Sequence, residues 1–156
     1  QLGLEFRGAL VLLALLFGND RHQRFGAIRH RLLRRGDVVA LSGDLGAGKT
    51  TLSRAILAAS GHHGEVPSPT FTIIETYERT TPPIIHADFY RLDDPSEVEE
   101  IGLDDYRAGA ALLAEWPERA GGFSHEPQCL SVGLENGGEG RRAIVEGGSA
   151  WHGRMP

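Results

Sequence analysis

The sequence is poor in lysine. Lys49 is the only one, and every other of its 16 Lys and Arg positions is arginine. Cysteine is as scarce. Cys129 stands alone, which excludes an internal disulfide and makes the reducing cytosol the expected compartment. A net excess of positive charge is lacking too. The formal charge of −5 argues against a general nucleic-acid binder, though not against a local basic patch. One apolar run stands out, "ALVLLALLF" at 9–17, behind Arg7 as the core of a signal peptide would be. It is too short to span a bilayer, and no small-x-small cleavage pattern follows it in "GNDRHQR". A buried N-terminal strand is expected there, and no membrane attachment.

What is present suits one domain over residues 1–156, with 1–19 as an atypical N-terminal segment. Its 21 glycines, 8 prolines and 40% apolar residues describe a loop-rich globule. Residues 20–35 read as an amphipathic helix, with Phe25, Ile28, Leu32 and Leu33 at helical spacing and Gly36-Asp37 as its stop. "VVALS" (38–42) has the pattern of a strand buried on both faces. "KTTLSRAILAAS" (49–60) is helical, ended by Gly61. "FTIIETYE" (71–78) and "IIHADFY" (84–90) read as strands whose short connection implies antiparallel pairing. In "DPSEVEEIG" Asp94 is the expected N-cap, with Pro95 at the first helical position and Glu97 completing a capping box. "AALLAEW" (110–116) is another buried strand, and residues 129–147 form a terminal hairpin around "NGGEG". These elements predict an α/β fold, a mixed parallel and antiparallel sheet flanked by helices, which the glycine-rich motif at 43–50 makes P-loop NTPase-like.

Gly43-Asp44-Leu45-Gly46-Ala47-Gly48-Lys49-Thr50 matches G-x-x-x-x-G-K-[ST] in full, with a strand running in and a helix running out. Glycines let the backbone wrap closely, so that N–H groups face phosphate oxygens, and the helix N-terminus adds its dipole. The lone lysine fits this setting. A compact ammonium on a long stem reaches the β- and γ-phosphates, where a planar guanidinium does not fit the same slot. Thr50 is the expected Mg²⁺ residue, and Thr51 continues the loop. ATP and Mg²⁺ are the expected cofactors.

Hydrolysis needs more than this loop. Asp88 and Glu115 end two of the buried runs, where open α/β sheets border their ligand crevice. A nearby metal would balance such buried acids. Which of the two orients the water and which holds Mg²⁺ stays open. His86, Asp88 and Tyr90 alternate onto one strand face, where His86 and Tyr90 read equally as satisfied polar residues. Trp116 stacks on a base or fills core. Ser68-Pro69-Thr70 is either a rigid loop sensing the γ-phosphate or an ordinary proline turn. The seven acids between 93 and 105 read as a solvated helix face. His62-His63 lacks further ligands for a metal.

Taken in order, "GDLGAGKTT", "SPTF", "HADFYR" and "EWPER" resemble the TsaE (YjeE) family of small bacterial P-loop ATPases. The resemblance runs from about Gly36 to Glu118. It implies an ATPase that docks on the TsaD–TsaB pair and supports threonylcarbamoyl transfer to adenosine 37 of tRNA, which it meets only through the complex. It also implies Lys49 and Thr50 as phosphate and Mg²⁺ residues, Asp88 as the acid of the "HxDxYR" strand, and Glu115 as the Mg²⁺-linked acid of "EWPE". Ser68-Pro69-Thr70 then corresponds to the switch-like loop and Trp116 to the tryptophan near the nucleotide. "FGNDRHQRFG" (17–26) departs from the family's usual Asp/Glu-x-x-Thr approach to its first helix. Two other nucleotide classes compete. A small-molecule kinase normally carries an arginine-rich lid and an acceptor domain, and no such insertion follows Thr50. A regulatory GTPase reads guanine with Asn/Thr-Lys-x-Asp, which needs a second lysine. A nucleotide-gated binding module with negligible turnover remains open.

Overall fold

The computed structural model describes residues 2–4, 33–137 and 140–154. The apolar stretch at 9–17 and the helix expected from residue 20 lie outside these, as far as residue 32. Residues 33–36 are loop and turn, so the expected helix does not reach Arg35. Asp37 instead holds this segment by accepting the Arg34 backbone N–H at 2.7 Å and both guanidinium nitrogens of Arg154 at 2.8 and 2.9 Å.

Among the described residues seven strands form one sheet: β1 (Leu2–Leu4), β2 (Val38–Ser42), β3 (Ile74–Tyr77), β4 (Ile84–Asp88), β5 (Ala111–Glu115), β6 (Cys129–Gly137) and β7 (Gly140–Gly147). Their order is β1-β7-β6-β2-β5-β4-β3. The centre, β6-β2-β5-β4, is parallel, and β1, β7 and β3 pair antiparallel at its flanks. The mixed P-loop-type α/β architecture is thus as expected, including the hairpin of β6 with β7 and the antiparallel pairing of β3 with β4.

Strand alternation splits the core into two layers. Val39 and Leu41 of β2 face one cluster with Leu52, Ile56 and Leu57, while Val38 and Ala40 face the other with Phe89, Leu103 and Phe123. Helix α1 (Lys49–Ala59) covers the first face. Burying Leu52, Ile56 and Leu57 stabilises its docking by roughly 1.5–3 kcal/mol each. Two short helices, α2 (Glu97–Ile101) and α3 (Leu103–Arg107), serve the second face, with Leu103 buried.

Three further element boundaries differ from expectation by two residues or more. The strand expected over 71–78 begins only at Ile74. Ile73 sits at φ 64° and closes a turn through its N–H to Pro69 O at 2.6 Å, so the β-branched run is interrupted by a left-handed residue. The strand over 84–90 stops at Asp88, whose side chain accepts the Tyr90 N–H. Helix α2 starts at Glu97, not at Pro95. The return half of the capping box still forms, with Glu97 Oε1 accepting the N–H groups of Asp93 and Asp94 at 2.9 and 2.8 Å, while Asp94 Oδ1 accepts the Ser96 N–H at 2.8 Å.

Candidate active site

The carboxyl ends of β2, β5 and β4 lie side by side, and the site is built on them. Register pairs Leu41 with Glu115 and Glu115 with Asp88, so the phosphate loop and both acids meet at one edge. The order β2-β5-β4 thus places the two acids on adjacent strands although 26 residues separate them in the chain.

The loop requires its glycines for two reasons. A Cβ on Gly43 would lie 2.4 Å from Leu134 O and 3.2 Å from Ala47 Cβ, so only glycine lets the loop cross β6 this closely. Gly48, at φ 106°, is left-handed at the start of α1, and no side chain caps the helix there. The first-turn N–H groups of a helix without a side-chain cap suit an anion. Ala47 N–H closes the loop on Asp44 O at 3.0 Å.

Lys49 is buried and folded back. Its ammonium donates to Gly43 O at 2.5 Å and Asp44 O at 2.9 Å, and stands 3.9 Å from the centre of the Trp116 ring. Burial pulls its pKa below the ordinary lysine value, opposed by the negative charge of Glu115, Glu118, Asp88 and Asp44. Trp116 itself is left-handed at φ 55°, turning the chain sharply after β5 and bringing the ring over the loop and 5.0 Å from Tyr90.

Glu115 is 1% exposed and held from three sides. Oε2 accepts from Thr50 Oγ1 at 2.8 Å; Oε1 accepts from Ser53 Oγ at 2.9 Å and His86 Nε2 at 2.8 Å. Burial works against its charge, but His86, through its hydrogen bond and its electrostatic attraction, together with the hydrogen bonds of Thr50 and Ser53, outweighs it and holds the carboxyl below the usual carboxylate range. Asp88 is bound differently. Oδ2 accepts from Thr70 Oγ1 at 2.8 Å, Oδ1 accepts the Tyr90 N–H at 3.0 Å, and Thr70 Oγ1 is 2.8 Å from Ser68 Oγ.

A cleft of about 320 Å³ collects these groups. Of the residues expected from sequence, Leu45, Gly46, Gly48, Lys49, Thr50, Thr51, Ser68, Thr70, Asp88, Glu115 and Trp116 line it. Gly43, Asp44 and Ala47 shape the loop behind that wall. Tyr90 joins the lining, which settles its face as that of the cleft. Ser53 and His86 act one layer deeper. A polar residue inside the buried stripe of α1 was the signal for Ser53, because Leu52, Ile56 and Leu57 flank it on the same face. The donor set is right for a phosphate ester and a hard divalent cation. Thr50 gives its proton to Glu115 and keeps oxygen lone pairs for a metal, and the carboxylates can accept from metal-bound water.

A family model for "Threonylcarbamoyl adenosine biosynthesis protein TsaE" matches residues 18–144. The chain belongs to the TsaE family. It is 47% identical to the TsaE protein of Haemophilus influenzae over 94 residues, a match that covers 60% of this chain and 60% of that one. With the Rickettsia felis TsaE protein it shares 34% identity over 131 residues, 82% of this chain and 75% of the relative. The crystal structure of Bacillus subtilis YdiB superposes with a TM-score of 0.62 at 32% identity, covering 78% of this chain and 76% of that one. The TsaE match spans the phosphate loop, the Ser68–Thr70 turn, both acids and Trp116. Among the described residues no helix is long and apolar enough to cross a membrane.

Proposed function

We propose that this protein is a Mg²⁺-dependent ATPase of tRNA threonylcarbamoyladenosine biosynthesis, working in the cytoplasm with the TsaD–TsaB pair and meeting tRNA through that complex. The observation that carries the reading is the junction of Thr50 and Glu115 in the phosphate-loop cleft, with Asp88 and Thr70 across it. Family membership supplies the biosynthetic setting.

In this reading Lys49 exchanges the Gly43 and Asp44 carbonyls for the β- and γ-phosphates, joined by the loop N–H groups and Thr51. Thr50 would hold Mg²⁺ directly, and Glu115 would orient its water ligands. A Mg²⁺ ion held there would supply positive charge to balance the negative charge that develops as the phosphoryl group transfers to water. Among the described residues no cluster of three or more His, Cys, Asp or Glu side chains forms an all-protein metal site. Mg²⁺ held by one hydroxyl, waters and phosphates needs no such cage. Asp88, close to Thr70 and Ser68, would receive or position the attacking water.

Turnover by the isolated protein should be slow. Lys49 is engaged by backbone carbonyls and Asp88 by Thr70 and the Tyr90 N–H, so a partner that opens these contacts would accelerate the reaction. The test is phosphate release from ATP, with and without TsaD–TsaB, using Lys49→Ala as the blank. Stimulation by the pair supports the reading. Transfer of phosphate to a metabolite would indicate a kinase, and tight nucleotide binding without release, even with the pair, a nucleotide-gated binding module.

A further inference from the structure

His86 lies in the middle of β4, is 0% exposed, and does not line the cleft. Its register partner in β5 is Leu113, two residues before Glu115, so the ring reaches diagonally along the sheet to the carboxylate. Nε2 must carry a proton, because the carboxylate oxygen 2.8 Å away can only accept. Nδ1 meets no hydrogen-bond partner among the described residues. A proton there would be a buried donor without an acceptor, so the Nε2–H tautomer is the one this pocket suits.

An orphaned nitrogen is a poor way to fill a core. Leucine would occupy the space between sheet and α1 without leaving a buried polar atom unpaired. What leucine cannot do is place an N–H on Oε1. With Ser53 on the same oxygen, that N–H fixes the carboxylate about its terminal torsion, which is otherwise broad. Oε2 is then kept against Thr50 at the cleft wall.

We propose that His86 is the positioning residue for Glu115, its Nε2–H holding the carboxylate in the orientation that serves Mg²⁺-linked nucleotide binding and turnover. The proposal rests on the Mg²⁺–ATP reading of the cleft. His86 does not touch the nucleotide in it, so its effect should appear in the metal-dependent part of binding alone.

Two variants separate positioning from packing. His86→Gln can bring an amide N–H to the place of Nε2, whereas His86→Leu fills the volume without a donor. Calorimetry of ATP binding with and without Mg²⁺ is set beside turnover. For His86→Leu, affinity without Mg²⁺ should stay unchanged, while the Mg²⁺ enhancement of affinity and kcat fall by about 10–100-fold, the usual loss when a metal site's supporting partner goes. His86→Gln should recover most of both. On the wild-type protein, ¹⁵N NMR of the imidazole should show Nε2 protonated. Wild-type Mg²⁺ dependence in His86→Leu, equal damage in both variants, or an Nε2 without a proton overturns the proposal. Should His86→Leu fail to fold, His86→Gln and the tautomer decide. Absence of hydrolysis by the wild-type protein, with or without TsaD–TsaB, overturns the ATPase reading instead, and the tautomer and Mg²⁺-linked affinity then decide His86 alone.

Discussion

Asp88 and Glu115 end neighbouring parallel strands in the same register, yet their carboxylates are anchored to different parts of the molecule. Glu115 is fastened inward, to Thr50 and Ser53 on α1 and to His86 on β4. Asp88 is fastened outward, to Thr70 of the Ser68–Thr70 turn and to the backbone just beyond its own strand. One acid is therefore part of the rigid sheet-to-helix interface. The other ties a surface segment to the sheet. Preorganised charge acts without rearrangement during reaction, whereas a carboxylate tied to a loop can report or control that loop's position.

The first way to break the comparison is to neutralise the inward acid. Glu115→Gln keeps the shape but takes away the negative charge and one acceptor, and its amide confronts the donors of Thr50, Ser53 and His86. ATP turnover should fall by about 10²–10³-fold, the scale seen when one preorganised electrostatic contact is removed from an active site. ATP binding without Mg²⁺ should survive. Phosphate-release kinetics and calorimetry check this, and near-normal turnover would remove Glu115 from the proposed machinery.

Asp88→Asn should cost less, about 10–100-fold in turnover, and should show itself elsewhere as well. Asparagine offers one acceptor oxygen where Thr70 and the Tyr90 N–H now use two. Ile73 O accepts the residue-88 N–H at 2.9 Å, so loosening the turn should raise hydrogen exchange at the amides of residues 73 and 88. Glu115→Gln should leave that exchange unchanged. If both variants loosen the turn equally, the two acids are not mechanically distinct.

The difference between the acids was only half legible in the sequence. Asp88 and Glu115 each end a short apolar run, so their placement at a strand's carboxyl end could be read directly. The phosphate loop was legible because its spacing and the strand "VVALS" agree. What holds each acid was not. His86 meets Glu115 only because β4 and β5 run parallel in a particular register, a relation set across 29 residues of chain. The turn that reaches Asp88 depends on Ile73 adopting φ 64°, and a β-branched residue next to Ile74 argues for strand instead. Tertiary hydrogen bonds overrode that local preference. Gly43 is similar: its motif was plain, but the reason for it is Leu134 O, reached only through the strand order β6-β2.

Thr70→Val tests the outward tie with less disturbance. Valine matches threonine in shape and removes only the hydroxyl that links Ser68 to Asp88. The lost bond to a charged acceptor amounts to about 1.5–3 kcal/mol locally, part of which water restores at this half-exposed position. Turnover should fall several-fold, and limited proteolysis should cut near residues 67–73 faster than in the wild type. Unchanged proteolysis would mean that Pro69 and the Ile73 N–H hold the turn without Thr70.

Ser53→Ala is the smallest change, and it sharpens the inward side. Ser53 is fully buried, and its hydroxyl donates to Glu115 Oε1 while lying 3.2 Å from Lys49 O. Alanine is a better helix former and leaves no polar atom behind, which offsets part of the loss. Oε1 also keeps the His86 N–H. Stability should therefore drop by only about 1 kcal/mol, and turnover by a small factor. The informative quantity is the coupling with Glu115→Gln. If Ser53 acts through the carboxylate, the two changes together should cost less than their sum by about 0.5–3 kcal/mol in urea unfolding. Strict additivity would show that Ser53 stabilises α1 through Lys49 O and takes no part in holding Glu115.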